Sequence, residues 1–446
     1  MKPALSAALL GLFLASPWAF AVPVVAGQAL APAPSTAAAP GLTYQQAVEE
    51  GMQHNLDLLA ARYGVPLAEA DELTAGLWNN PTVLLDTIFE PFGRNWNQTS
   101  AGGPRQFDVI FGYPFDLSGK IGAARRGAHK ATDVAKAAFA DAMRQKLRDI
   151  RLSYIDVLTF RYQVNLAHEK QESLQQLLSV IENRIGGGNR MPLLRLRAQL
   201  ARDQASLDLR QKVVAMRASQ TALAVILGRT QETPIEPNTA LRDFAMPEPP
   251  PLDALIALAV ENRPDLLALR LTLEKSKLDR DTAVAQKWDN FDVTAGLSTQ
   301  GPISGSPAGA ASIPRGNSWD AGVTIPLPFF NRNQGNIRKA ALAGAQIQKQ
   351  IASLELATRQ EIAGIYDQLN LDRGLISEYE SRQLGNARRV RDEQQKLVGM
   401  GSNALLDYFD AVAAYAAAVS AYYDVVGGYR RDVARLNAAC AQEVLP

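Results

Sequence analysis

The stretch FDVIFGYPFD, residues 107–116, decides which fold this chain can adopt. Apolar or aromatic side chains occupy every second position, and polar residues, glycine or proline lie between most of them. A strand with lipid on one face and water on the other has this pattern. A half-buried strand in a soluble sandwich has it too, so the alternation alone leaves both structures open.

Further segments extend this signal. Residues 291–298 and 319–327 alternate in the same way, and a fourth strand near 82–89 is less regular. A secretory N-terminus, the absence of any cysteine pair and a Gly/Ser/Pro-rich loop at 301–317 favour the lipid interpretation. We therefore expect a mainly α-helical protein whose four strands form part of a transmembrane β-barrel.

Four strands are too few to close a barrel. An open sheet in hydrocarbon would leave unpaired backbone groups, each of which costs several kcal/mol. The chain should therefore oligomerise, and two copies would give eight strands while three would give twelve. Because an eight-stranded barrel is filled by its own side chains, a trimer is the smallest assembly that leaves an aqueous lumen.

Two very long helices should follow the strand pairs. Residues 118–185 and 331–398 contain no proline, and their apolar residues recur at spacings of three and four. Each segment would span roughly 100 Å at a helical rise of about 1.5 Å per residue. No compact domain holds such a helix, so we expect the helices to pack side by side as a coiled-coil-like layer.

The chain contains an internal repeat. DLLAAR at 57–62 resembles DLLALR at 265–270, and matching glycines, prolines and leucines keep an offset of roughly 210 residues along the chain. We expect a signal peptide at 1–21, a disordered Pro/Ala-rich lead at 22–41, a first repeat at 42–227, a Pro-rich linker at 228–251, a second repeat at 252–440 and a tail at 441–446.

The N-terminus indicates export. Lys2, an apolar run at 4–15 and an A-x-A site at 19–21 form a secretory signal peptide. Cys440 is the only cysteine, so we expect no internal disulfide and no lipid anchor, and we interpret Cys440 as an inert residue near a helix end. The longest later apolar run, 411–423, is too short for a helical membrane span.

Composition argues against several classes of function. Lys and Arg number 46 against 45 acidic residues, so there is no basic field to hold nucleic acid. The three histidines, His54, His129 and His168, do not lie at metal-ligand spacing from one another or from the cysteine. No nucleophile motif, phosphate loop or dinucleotide fingerprint is present, so we expect no enzyme activity, no cofactor and no dedicated metal site.

Two segments resemble the TolC superfamily of outer-membrane efflux proteins. GKIG at 119–122 followed by Ala124 and Arg125, and PLPFFNRNQG at 326–335, are similar to its heavy-metal branch, typified by CzcC and CusC. The resemblance covers nearly all of the mature chain. It implies a homotrimer with a 12-stranded barrel in outer-membrane lipid above a 12-helix periplasmic tunnel. This chain departs from CusC-like members, which carry a lipidated cysteine after the signal.

The same segments have a structural interpretation as strand-to-helix corners. Pro326 and Pro328 remove donors from the β ladder, so the strand should stop there. Asn331 should then cap the following helix with its side chain. We interpret the corner as structural and not as a ligand site. It should also include Gly119, Lys120 and Gly335.

Glycine-rich turns at 186–189 and 399–403 should reverse the two helical hairpins, because glycine adopts positive φ without steric cost. The resemblance places these turns at the periplasmic tip, where a membrane-fusion adaptor docks. The residues that it nominates for adaptor contact are Gly186, Gly188, Arg190, Leu193, Leu194, Gly399, Gly401, Asn403, Leu405 and Leu406.

Two carboxylates next to the second turn are candidates for a periplasmic gate. Three-fold symmetry would repeat Asp407 and Asp410 into an acidic constriction that attracts cations and repels itself. The alternative is that they are solvated helix charges beside Arg195 and Arg197 of the other hairpin.

The resemblance implies the outer-membrane channel of a tripartite efflux system, with an adaptor and an inner-membrane RND pump as partners and heavy-metal cations as cargo. The runner-up cargo is drugs, other organic compounds or polypeptides of type I secretion. A soluble periplasmic coiled-coil scaffold is a third hypothesis, which the alternating strands oppose.

Overall fold

The structure is a computed structural model that describes residues 41–88, 106–186, 192–230, 235–242, 244–300, 316–397 and 402–446. The predicted signal peptide and all but the last residue of the predicted lead lie outside the described residues.

The first half of the chain places three short helices before a strand pair and two long helices after it. Its elements are α1 (Tyr44–His54), α2 (Leu56–Arg62), α3 (Gly64–Ala75), β1 (Thr82–Ile88), β2 (Gln106–Phe115), α4 (Lys120–Gly186) and α5 (Pro192–Leu227).

The second half also places helices on both sides of a strand pair, with two before it and a longer set after it. Its elements are α6 (Leu252–Asn262), α7 (Pro264–Ala285), β3 (Phe291–Gln300), β4 (Gly316–Thr324), α8 (Gln334–Glu378), a π-helical turn (Tyr379–Gln383), α9 (Leu384–Leu397) and α10 (Ser402–Ala439). Helix α4 is 67 residues long and confirms the first predicted long helix. The second begins three residues later than predicted and is interrupted by the π-helical turn.

The four strands form one antiparallel sheet in the order β1-β2-β3-β4. One face is apolar and exposed, with Phe111 60%, Leu297 66% and Trp319 78% exposed. On the other face Asp86 lies opposite Asp108, and Asp108 lies opposite Ser298. The predicted alternation is therefore confirmed, with one apolar and one largely polar face. Within the described residues β1 and β4 each have one neighbour and form the edges of the sheet.

The helices form a layer whose order follows from their contacts. Helix α4 packs against α3 and α7 near the sheet and against α5 and α10 farther from it, α7 packs against α8, and α10 packs against α8 and α9. One side of the layer is therefore made of α3 and α5, and the other of α8 and α9. Strand β1 follows α3 and therefore lies on the first side, and β4 precedes α8 and lies on the second.

The main core lies where the long helices cross the linker. Tyr154 of α4 is fully buried, and its hydroxyl is 2.9 Å from the Leu42 carbonyl oxygen and 2.8 Å from Thr239 Oγ1. Ile235 and Leu241 of the linker are buried in the same cluster, which also contains side chains of α5, α8 and α10. The linker is thus packed against the helices and fastens the two halves together.

Helix α10 is more apolar than the sequence analysis allowed. In the described part of the chain it is the one helix whose segment Ala404–Ala439 is long and apolar enough to cross a membrane by length and composition. Alanine and valine give residues 411–429 this character, because Asp424 is the single charged residue of that stretch. Val426 and Leu436 are fully buried against the other helices, so α10 serves as a core helix of the layer.

Candidate functional site

The far end of the two helical hairpins has its own core. Leu174, Leu178 and Ile181 of α4 pack with Leu194 and Ala198 of α5 and with side chains of α10. The α10 members are Leu405, Tyr408 and Val412. The apolar stripes of both hairpins therefore meet at the tip, separately from the main core, and hold the two hairpins together there.

This packing changes the list of candidate adaptor contacts. Leu194 is 7% exposed and Leu405 is fully buried, so neither offers a side chain to a partner in this conformation. Their burial was not predictable from the local sequence, because the two leucines belong to different hairpins that are distant in the sequence and come into contact only in the folded chain. Leu193 is 65% exposed, and Leu406 is half-buried.

Four of the residues predicted at the tip lie outside the described residues, namely Gly188, Arg190, Gly399 and Gly401. Of the other predicted members, Gly186 is the last residue of α4. Asn403 lies in the first turn of α10.

The candidate gate residues Asp407 and Asp410 are exposed and line a cleft of about 620 Å³ between the hairpins. Lys170 of α4 and Arg197 of α5 line the same cleft. Arg195, the other nearby cation, lies 3.4 Å from Glu182. The carboxylates thus face basic groups of the first hairpin within one protomer, while their three-fold arrangement remains a prediction.

A basic side chain links three helices beside this cleft. The guanidinium of Arg391 in α9 lies 4.1 Å from the ring centroid of Tyr415 in α10 and donates to Glu169 of α4 at 3.3 Å. It also donates to Asp392 at 2.8 Å. Sequence reasoning missed this contact because Glu169 lies 222 residues away. Arg391 therefore joins α4, α9 and α10 next to the candidate gate residues.

The linker contacts the π-helical turn directly. The guanidinium of Arg242 donates to the Glu380 carboxylate at 2.6 and 3.3 Å, and the Tyr422 hydroxyl donates to it at 2.7 Å. The hydrogen bond from Arg242 lowers the pKa of Glu380. A π-helical turn often marks a functional site within a long helix, and here it is where the linker is attached.

At the first corner one carboxylate caps the long helix α4. Asp116 accepts hydrogen bonds from the backbone N–H groups of Ser118, Gly119, Lys120 and Ile121 at 2.9 to 3.3 Å. Gly119 has a φ of 73°, which favours glycine. The sequence analysis placed Asp116 in the alternating strand and did not recognise it as a cap.

At the second corner the predicted cap is wrong. Strand β4 ends at Thr324, before Pro326 and Pro328, but helix α8 begins after Asn333 and has no side-chain cap. Asn331 Oδ1 instead accepts from the Asn333 N–H at 3.0 Å, and Asn333 has a φ of 58°. Asn333, with its left-handed backbone, forms a turn before the helix. The hydrogen bond to Asn331 stabilises that turn and does not cap the helix. Gly335 lies in the first turn of α8.

Comparison with known proteins identifies the family. A family model described as outer membrane efflux protein matches residues 47–229 and 255–442. The chain belongs to this family. Its members are efflux proteins, so this chain is a transport protein of the outer membrane and not an enzyme, and the soluble-scaffold hypothesis is excluded.

Three similar proteins show the range of the outer membrane efflux family. The cobalt-zinc-cadmium resistance protein CzcC of Cupriavidus metallidurans is 22% identical over 88% of both chains. The fusaric acid resistance protein FusA of Burkholderia cepacia is 25% identical over 56% of this chain and 45% of its own. The crystal structure of CusC, described in terms of transmembrane channel formation, matches with a TM-score of 0.70 at 18% identity, covering 89% of this chain and 91% of that chain.

These matches confirm the resemblance to TolC-type channels and the mainly helical fold with its small antiparallel sheet. Among the described residues no group of three or more His, Cys, Asp or Glu side chains could hold a metal ion.

Proposed function

We propose that three copies of this chain form a closed conduit through the outer membrane and that the conduit is the exit duct of a tripartite RND-type efflux system. Its cargo would be heavy-metal cations, passed from the periplasm to the outside. The proposal rests on two opposite sides of the protomer. Each side has an open strand edge and exposed apolar helix residues, and one side can pair with the other side of a neighbouring copy.

The sheet has two open edges of opposite direction. Because each neighbouring pair is antiparallel, β1 runs antiparallel to β4, so β4 of one copy can add to β1 of the next. Open edges in hydrocarbon are not tolerated, and ring closure pairs all of them. Three copies would supply twelve strands, enough for a water-filled lumen.

The helices on the same two sides carry exposed apolar side chains. On α5, Leu200, Leu207 and Val214 recur every seven residues and are each more than half exposed. Leu342, Leu356 and Leu371 of α8 are exposed on the other side of the layer. Seven-residue spacing suits the seam of a left-handed coiled coil, so α5 of one copy would pack beside α8 and α9 of the next.

We further propose that the two halves of the chain are copies of one repeat. Two segments of the chain match one family model, which supports an internal duplication with the linker at its joint. Three copies of two repeats would give a conduit with approximate six-fold symmetry.

A periplasmic adaptor and an inner-membrane pump would complete the system. An outer-membrane conduit has no energy source, so a periplasmic adaptor and an inner-membrane RND pump would supply coupling. Among the described tip residues, Leu193 is the exposed side chain best placed for the adaptor, with Asp407 and Asp410 as gate carboxylates.

The heavy-metal cargo is supported by the cobalt-zinc-cadmium resistance of CzcC, which is similar over most of both chains. The similarity to FusA, whose name refers to fusaric acid resistance, supports export of organic compounds as the second candidate. The lack of a metal-ligand cluster among the described residues suits either cargo, since a duct works through weak and transient contacts.

A deletion strain tests the choice of cargo. The proposal expects reduced growth on zinc, cobalt, cadmium, copper or silver salts and restored growth when the intact gene is supplied. A panel of drugs and fusaric acid serves as the parallel arm. Unchanged metal tolerance with lost drug tolerance would reject heavy metals and favour the second candidate.

A further inference from the structure

Both halves of the chain contribute to one polar cleft where the sheet meets the helices. The cleft has a volume of about 410 Å³ and is lined by Lys120, Gln286, Lys287, Asp289, Asn331 and Asn333. Lys120 follows β2, and Lys287 and Asp289 precede β3. Because β2 and β3 are the central strands, most of the cleft lies away from the edges that the proposed ring would use.

The cleft combines two cations with one anion. Within the described residues neither Lys120 nor Lys287 forms an ion pair, and the ammonium of Lys287 lies 5.8 Å from the ring centroid of Trp288. Asp289 is an exposed carboxylate on the same wall. Such a lining complements a ligand that carries both a phosphate and an ammonium group.

Exposed aromatic side chains border the cleft. Phe330, next to Asn331, is 94% exposed, and Phe329 is 67% exposed. Trp288, next to Lys287, is 39% exposed, and Trp78 occupies the equivalent helix-to-strand segment of the first half with 70% exposed. Large aromatic rings beside lysines are typical of the boundary between membrane and water.

We propose that the cleft binds the headgroup of a phosphoethanolamine-type phospholipid in the periplasmic leaflet of the outer membrane. Lys120 and Lys287 would donate to its phosphate, and its primary ammonium would donate to Asp289. The acyl chains would lie along Phe329 and Phe330. This inference rests on the proposed function, because that function sets the depth of the sheet in the membrane and so places the cleft at the lipid headgroups. The strand-to-helix corner, which the sequence analysis interpreted as structural, would then also bind a ligand.

The test is native mass spectrometry of the detergent-purified full-length protein, titrated in separate arms with phosphatidylethanolamine, phosphatidylcholine and soluble O-phosphoethanolamine. The two lipids differ in their ammonium groups, and only that of phosphatidylethanolamine can donate hydrogen bonds. We expect the wild type to prefer phosphatidylethanolamine, Lys120→Gln/Lys287→Gln to bind it at least tenfold more weakly, and Asp289→Asn to lose the preference.

Lys277→Gln is the matched control, because Lys277 is an exposed lysine on α7 outside the cleft. Equal binding by the double variant and the wild type, or an equal loss in Lys277→Gln, would overturn the lipid site. Tight binding of soluble O-phosphoethanolamine would assign the cleft to a soluble phosphate ester instead. A variant counts only if its circular dichroism and oligomer mass match the wild type.

The same sample separates this inference from the proposed function. A trimeric mass together with ion conductance in a planar bilayer, but no headgroup preference, would reject the lipid site alone. A monomeric, non-conducting protein would reject the conduit whatever lipid it binds.

Discussion

Asp116 accepts hydrogen bonds from four consecutive backbone N–H groups where the longest helix begins. The first four N–H groups of any α-helix lack partners within the helix. Asp116 accepts from Lys120 and Ile121 in the first turn and from Ser118 and Gly119 before it. A single carboxylate therefore fixes the direction in which α4 leaves β2.

Replacing this side chain should weaken the protein measurably. Asp116→Ala is expected to lower the free energy of unfolding by about 1–2 kcal/mol, the usual cost of a lost N-cap. Urea or thermal unfolding of the detergent-solubilised protein, followed by circular dichroism, measures the change. Asn331→Ala is the control, because Asn331 does not cap α8 and should cost less.

The contribution of Asp116 should depend on pH in a defined direction. Burial raises its pKa, but hydrogen bonds from Ile121, Ser118, Lys120 and Gly119 outweigh burial and hold the pKa below its usual value. A carboxyl with a lowered pKa in the folded state stabilises the protein above its unfolded pKa of about 4 and stops doing so as the pH falls through the folded value. The stability difference between wild type and Asp116→Ala should therefore shrink on acidification below about pH 4. A difference that stays constant down to about pH 2 would contradict this assignment.

At the scale of elements, α4 and α10 approach closely at Gly427. A β-carbon at this position would lie 2.6 Å from Thr159 Oγ1, closer than van der Waals contact permits. Thr159 is buried, and its hydroxyl donates to the Ile155 carbonyl at 2.8 Å, so it has little room to move.

Gly427→Ala should therefore push the two helices apart and destabilise the protein by about 1–3 kcal/mol, as overpacked cores do. Gly364→Ala on α8 is the matched control, because no heavy atom lies within 4 Å of a β-carbon there. Alanine favours a helix over glycine by about 1 kcal/mol, so the control should be neutral or stabilising. Thermal midpoints compare the two variants, and equal shifts would argue against the close approach.

The polar face of the sheet is acidic along its described strands. Asp86 and Asp108 lie directly opposite one another, Asp292 and Asp320 share their face, and the described strand residues include no Lys, Arg or His. Like charges opposite one another in a sheet are unfavourable. Their presence on the predicted lumen face should favour the passage of cations.

Asp86→Asn/Asp108→Asn should consequently lower the preference of the channel for cations over anions. The reversal potential in a planar bilayer under a KCl gradient reports that preference. Glu49→Gln, an exposed acidic residue on α1, should leave it unchanged. A double variant with unaltered selectivity would show that other groups set it.

The periodic spacing of apolar residues made the strands and long helices predictable. The features that were not predicted depend on contacts between residues distant in the sequence. The strand at 107–116 and the helix at 118–185 follow from local alternation and spacing. The π-helical turn Tyr379–Gln383 contains neither glycine nor proline, and its partner Arg242 lies 138 residues from Glu380. At the tip the sequence predicts glycine turns, most of whose residues lie outside the described residues. It gives no sign of the burial of Leu194 and Leu405, because that burial depends on how the two hairpins meet.

At the scale of the whole molecule, the proposed ring depends on one type of interface. Each protomer would offer β1, α3 and α5 to one neighbour and β4, α8 and α9 to the other. An apolar stripe on an isolated helix surface is expected to be covered by another molecule.

Leu200→Glu/Leu207→Glu tests the α5 side of this interface. Both leucines are exposed in the protomer, so the fold should tolerate the change, whereas the trimer should dissociate because carboxylates would be buried between copies. Chemical crosslinking and mass photometry measure the oligomer. Lys277→Glu, on the central helix α7, is the charge control, and an intact trimer in the double variant would contradict the interface.

The two open sides of the protomer differ from one another, and this has a genetic consequence. A copy damaged on one side could still join a growing ring by its other side and would then block closure. When damaged and intact copies are made in equal amounts, about one ring in eight would consist of intact copies alone if three copies combine at random. Substitutions that disable one side should therefore be dominant-negative. A chain disabled on both sides would not enter the ring and should be recessive.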